Sequence, residues 1–100
     1  MPAYVVVEVD VLDPAEFARY AEQAPRTIAQ YGGHYLARGG KTALLDGEPA
    51  PKRVVILEFP TLERAQEWES SPEYAPLREI RRRAARVRMV VVEGIDASRK

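Results

Sequence analysis

The chain has 100 residues with 15 Lys+Arg against 15 Asp+Glu, so its net charge is zero and no overall field recruits nucleic acid or anionic lipid. It has no cysteine, which excludes disulfides, thiolate nucleophiles and cysteine zinc sites and fits a reducing cytoplasm. Its length predicts one domain over residues 1–96 with a frayed tail at 97–100; no signal peptide is visible, and no apolar run approaches the ~20 residues of a membrane helix.

Residues 3–11 predict a first strand. Val5, Val7, Val9 and Val11 share one face, and Tyr4, Val6, Glu8 and Asp10 the other. Asp13-Pro14-Ala15-Glu16 opens a helix, with Asp13 as N-cap, Pro14 at the first position and Glu16 completing a capping box. Phe17, Tyr20, Ala21, Ala24, Ile28 and Tyr31 then recur at three- and four-residue steps as one buried stripe. Pro25 removes an N–H inside that stripe and predicts a kink or a break followed by a short second segment. Gly32 stops the helix.

Gly33 to Gly39 predicts the second strand. Lys41 to Gly47 either continues it or forms a small edge hairpin turning at Asp46-Gly47. Two prolines make residues 48–51 an exposed loop. Arg53 to Phe59 is a third strand around the apolar run Val54-Val55-Ile56-Leu57. Thr61 caps a helix from Leu62 to about Ser70. Ser71-Pro72 starts another, whose inner stripe is Tyr74, Leu77, Ile80 or Arg81, and Ala84. Val87 to Glu93 is the fourth strand.

The order β-α-β-β-α-β is the split pattern of a ferredoxin-like α+β domain: one four-stranded antiparallel sheet with its helices on a single face. The other face would be bare, with Tyr4, Val6, Val90, Val92 and half of Val54–Leu57 forming an apolar patch. Such a patch marks an interface, so a homodimer that packs two sheets face to face is expected.

Several stretches taken together resemble one family. They are Gly32-Gly33-His34-Tyr35-Leu36-Ala37-Arg38-Gly39-Gly40, Arg53-Val54-Val55-Ile56-Leu57-Glu58-Phe59-Pro60, Ala65…Trp68…Ser71-Pro72-Glu73-Tyr74 and Val92-Glu93-Gly94. The family is a set of short bacterial proteins known as a domain of unknown function within the dimeric α/β-barrel superfamily. The resemblance spans nearly the whole chain and implies a ferredoxin-like protomer and a dimer with a barrel-like core. It implies no established activity. Superfamily relatives include cofactor-independent monooxygenases, haem-dependent enzymes, muconolactone-isomerase-like proteins and stress-response proteins, and fold analogy does not choose among them. The chain has no Asn, a donor that some oxygenase-like relatives use.

The candidate chemistry centres on His34 and Arg38. Period two puts His34, Leu36 and Arg38 on one strand face, so the two polar groups are expected to converge on one cavity between sheet and helices. There Arg38 would hold a carboxylate or enolate and His34 would move a proton. The plainer readings are a strand-edge histidine with one hydrogen bond and an Arg38–Glu58 ion pair. Arg53 and Glu58 carry the same choice between ligand contact and structural pair. Tyr20, Trp68 and Tyr74 sit at core-facing helical steps, either as core or as pocket walls. One His and no Cys give no metal-ligand spacing, and neither metal nor cofactor is expected. Arg78, Arg81, Arg82, Arg83, Arg86 and Arg88 form a basic cluster. Without interleaved exposed aromatics it reads as a solvated helix end with a Glu79–Arg83 pair, not as a nucleic-acid surface. The function expected is therefore binding or transformation of a small acidic or enolisable molecule, or else a non-catalytic dimeric interaction module.

Overall fold

The computed structural model describes residues 1–95, so the tail expected at 97–100 lies outside the described residues. The elements are β1 (Ala3–Val11), α1 (Pro14–Gln30), β2 (His34–Arg38), β3 (Arg53–Phe59), α2 (Leu62–Glu69), α3 (Ala75–Ala84) and β4 (Ala85–Glu93). All strand pairs are antiparallel, in the order β2-β3-β1-β4. The fold is ferredoxin-like, with the second helical region divided in two.

The alternation of β1 decides which face is covered. Val5, Val7 and Val9 are buried against the helices, beside Leu57 and Phe59 of β3. Tyr4, Val6 and Glu8 point the other way, opposite Glu58, Ile56 and Val54 on one side and Val92, Val90 and Arg88 on the other. Trp68 seals the core between α2 and α1. Its Nε1 donates to Thr27 Oγ1 at 3.0 Å, and the Thr27 hydroxyl donates to the Ala24 carbonyl at 2.8 Å. That chain of bonds lets a polar indole edge sit fully buried.

Four local expectations are corrected. Pro25 does not break α1, which runs from Pro14 to Gln30, and the Ala21 carbonyl that it leaves without a helical donor accepts from Arg38 Nη2 at 2.7 Å. Asp13 does cap the helix, accepting from the Glu16 N–H at 3.2 Å, but the reciprocal half of a capping box is absent. The Asp13 N–H instead bonds Ala84 O at 2.9 Å, and the Glu16 carboxylate faces Arg19 and Arg83. Residues 41–47 form no strand; the chain runs as an exposed arm from Gly39 to Lys52. Finally, α3 begins at Ala75 and not at Pro72: Ser71 makes the expected capping bond, its Oγ accepting from the Tyr74 N–H at 3.1 Å, but Pro76 has no N–H to bond the Pro72 carbonyl and carry the ladder back to the cap.

Candidate functional site

His34 and Arg38 lie on opposite faces of the sheet. β2 pairs with β3 through His34–Glu58 and Tyr35–Leu57, but the next pairs are Ala37–Ile56 and Arg38–Val55. Leu36 is the extra residue of a β-bulge, and one inserted residue reverses the facing of everything after it. His34 therefore shares the uncovered face with Glu58, its Nε2 lying 3.0 Å from the Glu58 carboxylate with most of the ring in solvent. Arg38 turns to the helix face with Tyr35, its guanidinium 4.6 Å from the Tyr35 ring centroid. The expected convergence of His34 and Arg38 is overturned, and so is an Arg38–Glu58 pair. Arg38 instead donates from Nη2 to the carbonyl of Ala21 at 2.7 Å.

On the helix face the structure encloses a cavity of about 40 Å³. Every element contributes to its wall: Val7 and Val9, Phe17, Tyr20, Ala21 and Ile28, Tyr35 and Arg38, Arg53, Val55 and Leu57, Trp68, Arg81, and Val87 and Met89. Three arginines and no carboxylate line it. Arg53 stands out among them. Its guanidinium lies 5.7 Å from the Phe17 ring centroid and against Gly39, and its Nε is buried without a hydrogen-bond partner among the described residues. A cation kept beside apolar walls without a counter-charge favours an anion there.

Tyr74 stands behind the wall rather than in it. Its hydroxyl meets that of Tyr20 at 2.6 Å and accepts from Arg81 Nη1 at 3.0 Å. Burial is the largest reason that the Tyr20, Tyr74 and Tyr35 phenols titrate above the ordinary 10.0. They stay protonated at neutral pH and offer hydrogen bonds, not basic oxygens. No lining group is a base at neutral pH, so the cavity can hold and polarise an anion but supplies no proton acceptor.

Of the expected site residues, the structure therefore gathers Arg38, Tyr20, Arg53 and Trp68, places Tyr74 one bond behind, and leaves His34 and Glu58 on the far face. Sequence reasoning missed Tyr35, Met89 and the role of Arg81. A signal for Arg81 was present: it is an arginine inside an otherwise apolar helical stripe, and it is buried. The basic cluster does not form one surface. Arg78 bonds the Glu69 carbonyl, Arg82 faces Glu79 at 3.5 Å, Arg83 faces Glu16 at 3.9 Å and Arg88 faces Glu8 at 3.7 Å. The expected Glu79–Arg83 pair is thus replaced by two others.

The far face is apolar at its centre. Val90 and Val92 are 43% and 53% exposed beside Tyr4, Val6 and Ile56. Polar groups at its margins are paired within the chain, Glu58 with His34, Glu8 with Arg88 and Asp10 with Lys52. No helix among the described residues is long and apolar enough to cross a membrane.

The chain belongs to the family described as "Domain of unknown function (DUF1330)", whose model matches residues 2–95. No curated protein matches it. Among solved structures, a protein of unknown function from Rhodopseudomonas palustris is similar, with a TM-score of 0.76 and 18% identity over 95% of this chain and 83% of that one. SnoaB, a cofactor-independent oxygenase from Streptomyces nogalater, is similar with a TM-score of 0.68 and 15% identity over 99% of this chain and 98% of that one. So is a dimeric protein of unknown function and ferredoxin-like fold from Bacteroides fragilis, with a TM-score of 0.53 and 14% identity over 93% of this chain and 96% of that one. At such identities the likeness concerns the fold, one shared by oxygenases and by proteins without known activity.

Proposed function

We propose that this DUF1330 chain is a homodimer whose protomers pair through their uncovered sheet faces, and that each protomer binds a small acidic molecule in the cavity between sheet and helices. The observation that carries the binding reading is Arg53, a cation in an apolar wall with a buried, unpartnered Nε and no carboxylate across the cavity. Arg38 adds a second positive charge at the exposed end, and Tyr20 a neutral hydroxyl. These groups suit a carboxylate or the enolate form of an enolisable molecule, since both present an anionic oxygen to fixed donors. With no base in the lining, the reading is a binder of such anions. His34 and Glu58 belong to the dimer face in this reading and take no part in the cavity. No nucleic-acid partner is proposed.

A second reading keeps the dimer and drops the ligand. It is favoured by the bond from Arg38 to Ala21, which gives that arginine a structural task.

Acetoacetate is a compact, acidic and enolisable probe, and acetoacetamide is its neutral counterpart. Calorimetry should show acetoacetate binding, acetoacetamide not binding, and Arg53→Met weakening acetoacetate roughly tenfold or more. Trp68 is the only tryptophan and lines the cavity, so its fluorescence reports occupancy independently. Equal binding of the amide, or none of the acid, would leave the ligand-free reading.

A further inference from the structure

The inner cavity has a neighbour. An open groove of about 390 Å³ runs beneath α2 along β4, with Val5, Ala65, Val87 and Val91 on its apolar side and Gln66, Glu69 and Arg81 on its polar side. Trp68, Arg81, Val87 and Met89 line both spaces. The partition between them is therefore side chain, not backbone. Arg81 and Met89 touch across it, with Nη1 4.0 Å from the Met89 sulfur. Arg81 is 9% exposed, its Nε is buried without a hydrogen-bond partner among the described residues, and its far end is fixed by Tyr74 and lies 3.8 Å from Glu69. Met89 is the mobile half of the partition, because an unbranched thioether side chain changes shape at little expense.

We infer that cavity and groove form one elongated site for an apolar carboxylate of medium length, with Met89 setting the length of tail it accepts. The inference rests on the acid-binding reading above and names its substrate class. Charge fixes the direction of the ligand. The inner cavity offers Arg38 and Arg53 and no carboxylate, whereas in the groove wall Arg81 already faces Glu69 at 3.8 Å, with Arg78 at 3.9 Å from the same carboxylate. The carboxylate lies inside, on Arg53 and Arg38, and the tail passes Met89 into the groove along its apolar side, where Trp68 gives it a flat wall. The inner volume alone accommodates only a compact head, so the groove is where added methylenes leave water.

The test is a series of straight-chain acids, acetate, butanoate, hexanoate and octanoate, titrated calorimetrically into the intact protein, with acetoacetate alongside. Once the tail reaches the groove, affinity should rise roughly three- to fourfold per methylene. Met89→Phe, which fills the partition, should flatten that rise, and Met89→Ala, which opens it, should keep or steepen it. The readout is the slope against chain length, so a general weakening in either variant does not imitate the effect. Acetoacetate binding with a flat series in the unaltered protein, or with the same slope in both Met89 variants, would overturn the elongated site and leave the acid-binding reading standing. Failure of every acid, acetoacetate included, would overturn both.

Discussion

Arg38 donates to the one carbonyl of α1 that Pro25 leaves without its helical donor. In a regular helix the N–H of residue 25 would bond the carbonyl of residue 21. Proline has no N–H, and Ala21 O instead accepts from Arg38 Nη2 at 2.7 Å. The acceptor left open within the helix is satisfied from the neighbouring strand, and α1 stays whole.

This predicts a coupling between the two residues. Arg38→Met alone should destabilise the protein by about 1 kcal/mol, the modest worth of a charge-assisted bond at an exposed position. In a Pro25→Ala background the restored N–H serves Ala21 O, so the same substitution should cost about half as much or less. Urea unfolding of the four members of the cycle measures the coupling. Strictly additive effects would show that the two residues do not share that carbonyl.

This pair also shows why the site was only partly legible in the sequence. The alternation in residues 3–11 and the apolar run within 53–59 located β1 and β3 to the residue, because strands at the centre of the sheet are made of β-branched and apolar residues. The helical stripes and the caps Asp13 and Thr61 were equally visible. What lay hidden was set between elements. The bulge at Leu36 arises from pairing with β3, and counting by two along residues 34–38 put Arg38 on the wrong face. The donor that rescues Pro25 comes from another strand. Arg81 was legible as an oddity in an apolar stripe, but its place between two cavities depends on how α3 packs on β4.

Gly39 is predicted to hold Arg53 in position. Its φ is +68°, and a Cβ there would come within 2.8 Å of the Arg53 guanidinium carbon. Gly39→Ala should destabilise by about 1–2 kcal/mol through the left-handed backbone and displace the flexible arginine head, lowering acetoacetate affinity. Gly40→Ala, with nothing within 4 Å, is the control and should be near neutral in both respects. Equal acetoacetate affinity in the two variants would separate Gly39 from the site.

The uncovered sheet face is predicted to be the dimer interface. Val90 pairs with Val6 at the middle of that face, so Val90→Glu places a charge at the centre of two apposed sheets. Sedimentation should find the unaltered chain as a dimer and Val90→Glu as a monomer with an unchanged circular dichroism spectrum. A monomeric unaltered chain, or a dimeric variant, would count against pairing through this face.

The buried phenols predict alkaline sensitivity. Tyr20 and Tyr74 have folded-state pKa values raised above 10.0, chiefly by burial. The unfolded chain therefore releases these protons first as pH climbs. Below the unfolded value both states keep them and stability is level; above it the folded state binds more protons, and stability falls. The fall should begin near pH 10 and approach about 1.4 kcal/mol per pH unit for each phenol. Urea unfolding between about pH 9 and about pH 11 measures it. Tyr20→Phe, which removes one of these titrating hydroxyls, should reduce the slope. An unaltered slope in that variant would assign the alkaline loss to other groups.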